Sequence, residues 1–151
     1  MHIVAYEARY QADWKRINVA WIAKDFVVEE VDLEVLDKPQ ENIIDRGGCI
    51  LLAMQGDTVV GTCALLLAAP GVYQMVKMAV DEAWRGHGIG RALGLAIVEK
   101  ARALGGHRLM LYSNRKGSSA AVALYRTLGF SELPLPTQAY ARADIYMEMA
   151  L

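Results

Sequence analysis

Residues 80–91 read VDEAWRGHGIGR and join a strand-like apolar run to a helix-like segment. Their three glycines are each one residue apart, and closely spaced glycines let a backbone turn sharply and approach a ligand without side chains in the way. The unpaired amides at the start of the following helix point outward, with the positive end of the helix dipole behind them. This segment therefore predicts a phosphate or pyrophosphate site, to which Arg85, His87 and Arg91 add side-chain donors.

The glycine spacing narrows the choice of ligand. A nucleoside triphosphate loop needs Gly-Lys-Ser/Thr at the end of the turn, but here Gly90 is followed by Arg91 and Ala92. The dinucleotide fingerprint needs glycines spaced one and then two residues apart, which this turn also lacks. Taken alone, the glycines fit a ligand-free strand-to-helix connection equally well.

The remaining elements follow from the apolar patterning on either side of the turn. Strand-like runs predict strands at residues 3–6, 49–54, 58–68, 73–80, 109–113 and 144–149, the second and third forming a hairpin. Helical spacing predicts helices at residues 10–26, 28–44 (interrupted near Pro39), 89–104 and 119–128. Leu93, Ile97 and Leu104 are predicted on the buried face of the helix at residues 89–104. Ser118 is predicted to cap the start of the helix at residues 119–128, and Gly129 to end it.

This order of elements predicts an α/β (α+β) fold, a mixed sheet flanked by helices. The chain shows no internal repeat, low-complexity segment or linker, so we expect a single domain over residues 1–151.

Composition limits the classes of function. Sixteen basic and seventeen acidic residues give a net charge of -1, which offers no field for attracting a polyanion, so nucleic acid is not an expected partner. The first residues lack a basic region followed by an apolar run, and the longest apolar stretch, around residues 62–72, is too short to cross a bilayer. We therefore expect a soluble cytoplasmic protein without a membrane partner.

The cysteines and histidines indicate neither a disulfide framework nor a metal site. Cys49 and Cys63 both lie in apolar runs and are predicted to be buried, reduced thiols. His2, His87 and His107 are isolated and share no ligand spacing with the cysteines, so no metal is expected.

The glycine-rich turn resembles the Arg/Gln-x-x-Gly-x-Gly/Ala signature of the GNAT superfamily of N-acetyltransferases. Residues 74–80 resemble the strand that precedes this signature in the family, and residues 61–64 its central hairpin. The family's second motif, Asn-x(n)-Ala-x-x-x-Tyr-x-x-x-Gly-Phe, is matched in order by Asn114, Ala121, Tyr125, Gly129 and Phe130. The resemblance covers about residues 48–151 and implies a largely antiparallel, twisted sheet.

The resemblance also implies acetyl-coenzyme A as cosubstrate, bound by a core over residues 48–151. It implies backbone contacts to pantetheine from Met78, Ala79 and Val80, a pyrophosphate cradle of Arg85, Gly86, Gly88, Ile89, Gly90 and Arg91, and a place for Asn114 near the pantetheine arm. Residues 1–46 fall where the family varies and are expected to build the acceptor site. Residues 140–144 (YARAD), together with Trp21, Phe26, Glu29 and Glu30, resemble a subset of the family, which does not name the acceptor.

The family reaction is direct transfer of the acetyl group to an amine, with a backbone amide of the third strand polarising the carbonyl oxygen. By resemblance, Tyr125 protonates the departing thiolate. The phenol pKa is near 10 and that of a free thiol near 8.5, so a phenol is the weaker acid of the two. Proton transfer from Tyr125 to sulfur is therefore needed only as negative charge builds on the departing sulfur. An aromatic on an apolar helix face is otherwise a packing residue, which is the alternative for Tyr125.

The sequence departs from the family at the general base. Many members carry Glu where this chain has Gln74, which cannot accept a proton. The acidic cluster of Glu29, Glu30 and Asp32 is the nearest replacement, with Glu30 the candidate base. Acidic residues are also ordinary at the solvated start of a helix.

The expected acceptor is a small-molecule amine or amino acid. The alternatives left open are acetylation of a protein N-terminus or lysine, and a non-catalytic module that binds coenzyme A as a sensor or scaffold. An apolar C-terminal strand is compatible with a homodimer.

Overall fold

The computed structural model describes residues 1–115, 119–136 and 143–151, so the predictions on Ser118 and residues 140–142 lie outside it. The strands are β1 His2–Ala5, β2 Cys49–Gln55, β3 Thr58–Ala69, β4 Val72–Val80, β5 Arg108–Ser113, β6 Ser131–Leu133 and β7 Ile145–Ala150. The α-helices are α1 Gln11–Asp25, α2 Glu30–Asp37, α3 Ile89–Ala103 and α4 Ser119–Leu128. Short helical turns lie at Ala8–Tyr10, Gln40–Ile44 and Glu82–Trp84.

The seven strands of the described residues form one sheet in the order β1-β2-β3-β4-β5-β7-β6. Neighbouring strands are antiparallel except for β4 and β5, which are parallel. The fold is thus the mixed, largely antiparallel sheet flanked by helices that the sequence predicts.

Two hydrophobic clusters lie on opposite faces of the sheet. Alternate residues of β3 belong to different clusters: Cys63 and Leu65 pack with α3 and α4, whereas Ala64 packs with α1 and α2. This alternation follows from the two-residue period of a strand. Each face of β3 and β4 is therefore covered by its own pair of helices.

β4 and β5 run together over only three residue pairs. Val72–Gln74 pairs with Arg108–Met110, and beyond these residues the two strands diverge. The pairing of β4 with β3 also shifts register here, and Lys77 takes a φ of 55°, a conformation that favours glycine. Thr62 Oγ1 donates to the Lys77 carbonyl at 2.7 Å and fixes this bulge.

The predicted hairpin is formed by β2 and β3, and the predicted helices lie within a few residues of their expected bounds. The helix expected at residues 28–44 is two elements, α2 and the Gln40–Ile44 turn, separated at Pro39 as proposed. Leu104, predicted on the buried face of α3, is 41% exposed because the helix ends at Ala103, and Ala101 is buried instead. β6, a three-residue exposed strand, was not predicted.

Within the described ranges, no helix has the length and apolar character needed to cross a membrane.

Candidate active site

A cavity opens where β4 and β5 diverge, and it touches both hydrophobic clusters. The α1–α2 side of its wall is formed by Trp21, Val31, Asp32, Val35, Leu66 and Lys77. Met75, Met78, Leu111, Ala121 and Tyr125 contribute apolar surface from the α3–α4 side. The gap between the strands therefore joins a chamber under α1 and α2 to a channel beside α4. We name the first the acceptor-side chamber after the role predicted for residues 1–46.

Tyr125 reaches this channel from α4 and is only 7% exposed. Its ring packs edge-on against Phe130, with the ring centres 6.0 Å apart. Burial, with a smaller contribution from Cys63, raises the pKa of Tyr125 above its ordinary value of 10. The phenol is therefore a protonated donor at every ordinary working pH.

Asn114 follows β5 and lines the same cavity at 5% exposure. Its Oδ1 is fully buried and has no hydrogen-bond partner among the described residues. A buried acceptor without a donor costs about 1–3 kcal/mol. The amide oxygen is thus positioned to accept a hydrogen bond from a bound group.

The glycine-rich turn is open on the side where a ligand would approach. Gly86 and Gly88 have φ values of 80° and 77°, and a Cβ built on either would meet nothing within 4 Å. Gly88 caps α3, whose first intrahelical bond runs from the Ala92 amide to the Gly88 carbonyl. The amides of residues 89–91 precede that bond and have no intrahelical acceptor.

The other predicted side chains of the turn fall into two groups. Arg85 and Arg91 are exposed, and Arg91 lies 3.4 Å from Thr127 Oγ1 on α4. Ile89 is 3% exposed and packs in the α3–α4 cluster, so it can offer a ligand only its backbone.

His87 is exposed and braces the backbone of the turn. Its Nδ1 lies 3.0 Å from the carbonyl oxygens of both Trp84 and Arg85, and its ring centre is 5.8 Å from that of Trp84. Because both neighbours are acceptors, Nδ1 carries the proton. The ring nitrogen left to face a ligand is Nε2.

The predicted backbone segment of β4 adjoins the turn. Met78 lines the cavity, whereas Ala79 is buried against the α1–α2 cluster. Val80 pairs with Gly61, and a Cβ on Gly90 would lie 3.8 Å from the Val80 side chain. The cavity and the glycine-rich turn are therefore consecutive along β4.

Glu30 and Gln74, the two positions considered for the general base, differ in whether they line the cavity. Gln74 is 8% exposed, lines the cavity and occupies the last position paired with β5. Glu30 is exposed and does not contribute to the cavity wall as far as the described residues define it. Its role as base stays a prediction.

The acidic residue that does reach the cavity is Asp32, 2% exposed. Its Oδ2 accepts from the Glu29 amide at 2.9 Å, and its Oδ1 accepts from Lys77 Nζ at 2.6 Å. The Glu29-x-x-Asp32 spacing is that of a capping box and was a local signal for the first contact. The ion pair joins residues 45 positions apart and had no such signal.

Both cysteines are free thiols. Cys63 is fully buried, and burial raises the pKa of each thiol above its ordinary value. Thiols that resist ionisation are poor nucleophiles, in agreement with a reaction that forms no enzyme-bound intermediate.

Comparison with known proteins places this site in a family. The sequence profile of the acetyltransferase (GNAT) family matches residues 14–130. An uncharacterized N-acetyltransferase of Bacillus subtilis, YvbK, is 33% identical over 106 residues, which are 68% of this chain and 67% of that protein. The mycothiol acetyltransferase of Saccharopolyspora erythraea is 29% identical over 112 residues, 74% of this chain but only 36% of its own length.

Solved structures share the whole fold. A GNAT-family acetyltransferase from Staphylococcus aureus superimposes with a TM-score of 0.89 at 19% identity, over 99% of this chain and 98% of its own. The acetyltransferase yncA from Salmonella typhimurium, solved with its cofactor acetyl-CoA, gives a TM-score of 0.79 at 18% identity, over 99% and 93% of the two chains. On the profile match and the Bacillus relative, the chain belongs to the acetyltransferase (GNAT) family.

Proposed function

We propose that this chain binds acetyl-coenzyme A between β4 and β5 and transfers its acetyl group directly to the amine of a small molecule. The observation that carries the proposal is the divergence of these strands after Gln74 and Met110. It opens a channel through the sheet that reaches Tyr125 and Asn114 on one side and α1 and α2 on the other. The membership of the family supports the same cosubstrate.

The residues present fit an acyl-coenzyme A. A pyrophosphate would be held by the amides of residues 89–91 and by Arg85 and Arg91, beside two glycines with open space around them. The buried, unpartnered Oδ1 of Asn114 suits an amide N–H of a pantetheine arm. When bound, acetyl-coenzyme A supplies an activated acetyl group as a thioester.

Tyr125 is the proposed general acid. It touches the cavity, and its raised pKa keeps the proton on Oη until a stronger base forms beside it. A departing thiolate is such a base at the moment of bond cleavage. The Met78 backbone lies on β4 at the cavity, and an amide of this strand is the proposed donor to the carbonyl oxygen.

The proposed acceptor side is built by residues 1–46, through Trp21 of α1 and the α2 residues Val31, Asp32 and Val35. Asp32 is a weak candidate for the base, because its two oxygens already accept hydrogen bonds from the Glu29 amide and from Lys77 Nζ. The amine is therefore proposed to arrive neutral or to lose its proton to water, with Glu30 still to be tested.

Two measurements test the proposal. Calorimetry is expected to show acetyl-coenzyme A binding at a 1:1 ratio, and thiol release from bound acetyl-coenzyme A is expected to accelerate when an amine is added. Binding without amine-dependent release over a broad amine panel would instead assign a coenzyme A-binding module without catalysis. Failure to bind acetyl-coenzyme A would remove the site itself.

A further inference from the structure

We infer that the acceptor is a monoamine carried on an apolar body, and that polycationic acceptors are excluded. This inference rests on the proposed function and names the substrate class of the same site. It depends on two features of the acceptor-side chamber, its charge and its apolar wall.

The charge of the chamber is balanced. Asp32 and Lys77 are the charged side chains among the described residues that line it, and they are paired at 2.6 Å. A carboxylate already matched by an ammonium at that distance exerts little attraction on a further cation. A second or third positive charge on an acceptor would therefore lose its water shell on entering, and the described residues of the wall offer it no carboxylate other than that of Asp32, which Lys77 already pairs.

Apart from this ion pair and the polar side chains of Gln74 and Tyr112, much of the cavity wall is apolar. Trp21, Val31, Val35 and Leu66 present an indole and branched aliphatic side chains, contributed by α1, α2 and β3. Burying an apolar body against such a wall gains roughly 25 cal/mol for each Å² removed from water. The wall therefore favours hydrocarbon or aromatic substituents on the amine over polar ones.

The geometry of α2 offers a direct way to reverse this preference. Val31 lines the chamber and is 46% exposed, and Leu33, two residues further along, is 37% exposed and lies outside the wall. Both tolerate a polar substitution, and an added Asp in the first turn of a helix is favourable. Val31→Asp thus places one unpaired carboxylate at the chamber, and Leu33→Asp places the same charge on the same helix away from it.

The test compares acetyl transfer to 2-phenylethylamine, 1,3-diaminopropane, spermidine, kanamycin and a short peptide with a free N-terminus. For the wild type, kcat/KM is expected to be highest for 2-phenylethylamine, by about tenfold or more over each polycation. In Val31→Asp, the ratio of kcat/KM for 1,3-diaminopropane to that for 2-phenylethylamine is expected to rise about tenfold, since a new close charge pair in a partly buried site is worth at least that factor. Leu33→Asp is expected to leave the ratio unchanged.

The outcomes separate the inference from the proposed function. If the wild type prefers 1,3-diaminopropane, spermidine, kanamycin or the peptide, the inference fails and the acetyltransferase function stands. If Val31→Asp and Leu33→Asp shift the ratio equally, the chamber does not select the acceptor and the inference also fails. If acetyl-coenzyme A binds but no amine in the panel is acetylated, the proposed function fails and the inference falls with it.

Discussion

Lys77 Nζ donates to Asp32 Oδ1 across 2.6 Å and so ties the bulge of β4 to the first turn of α2. Asp32 is 2% exposed and also accepts from the Glu29 amide, which starts the helix. One carboxylate therefore fixes both the beginning of α2 and its distance from the strand at the cavity.

Asp32→Asn is expected to lower the free energy of unfolding by about 3 kcal/mol, because it leaves the Lys77 ammonium buried without its carboxylate. Urea denaturation measures the change. Asp13→Asn is the matched control, since Asp13 pairs with Arg16 at 3.2 Å on the exposed face of α1 and its loss is expected to cost less than about 1 kcal/mol. Equal losses in the two variants would show that the buried pair does not hold α2.

The glycine-rich turn gives a prediction for cofactor affinity. Gly88→Val is expected to weaken acetyl-coenzyme A binding by about tenfold or more, because a branched side chain would occupy open space beside the amides that start α3. Calorimetry measures the dissociation constant. Gly56→Val is the control, because Gly56 also has a positive φ and open surroundings and the substitution imposes a comparable backbone strain. Gly56 lies in the β2–β3 turn, away from the glycine-rich turn. If both variants fold and bind as the wild type does, the cofactor lies elsewhere.

The sequence predicted this turn because its signal is local: three glycines at fixed spacing between a strand and a helix. Asn114 and Tyr125, two of the side chains that line the channel, were predicted through the ordered motif that the chain shares with the family. In each case the informative residues lie within a few positions of one another or in a fixed order.

The divergence of β4 from β5 had no comparable signal. The divergence accompanies a bulge at Lys77, and lysine rarely takes a positive φ, so its residue type did not indicate the bulge. The hydrogen bond that holds the bulge comes from Thr62 on the neighbouring strand. Asp32 also had no distinguishing signal, because in the sequence it is one of several acidic residues at a helix start. Only the fold shows that Lys77 pairs with it. β6 was missed because three exposed residues carry too little alternation to indicate a strand.

Asn114 gives a prediction that separates binding from stability. Asn114→Ala is expected to weaken acetyl-coenzyme A binding by about tenfold, the equivalent of one hydrogen bond of roughly 1.4 kcal/mol in a buried site. Asn18→Ala is the control, because Asn18 Oδ1 is also buried without a partner among the described residues but lies outside the cavity wall. Asn18→Ala is expected to reduce stability, through its lost bonds to Trp14 and Thr62, and to leave binding unchanged. Unchanged binding in Asn114→Ala would remove Asn114 from the cofactor site.

Tyr125→Phe keeps the ring packed against Phe130 and removes the proton donor. Turnover is expected to fall by about a hundredfold or more, with little change in the dissociation constant of acetyl-coenzyme A. The measurement is steady-state thiol release, with single-turnover kinetics to show that chemistry limits the rate. Tyr73→Phe, at a buried tyrosine outside the cavity, is the control and is expected to retain full turnover. A Tyr125→Phe enzyme that also retains turnover would make Tyr125 a packing residue.

The pH dependence of kcat/KM tests how the amine loses its proton. Without a carboxylate at position 74, the rate is expected to rise with pH by about tenfold per unit until the acceptor itself is neutral, near 10.4 for an alkyl amine. Tyr125 must stay protonated to act, and burial raises the pKa of Tyr125 above its ordinary value of 10, so its ionisation produces no descending limb near neutral pH. Gln74→Glu supplies a carboxylate at the cavity and is expected to move the rise to lower pH, whereas Gln55→Glu, on an exposed strand end, is expected to leave the profile unchanged. Glu30→Gln measured beside them tests the remaining acidic candidate, and a rise displaced to higher pH in that variant would assign the base to Glu30. A descending limb between pH 7 and 9 in the wild type would contradict the proposed role of Tyr125, because an acid that ionises in that range would have to replace it.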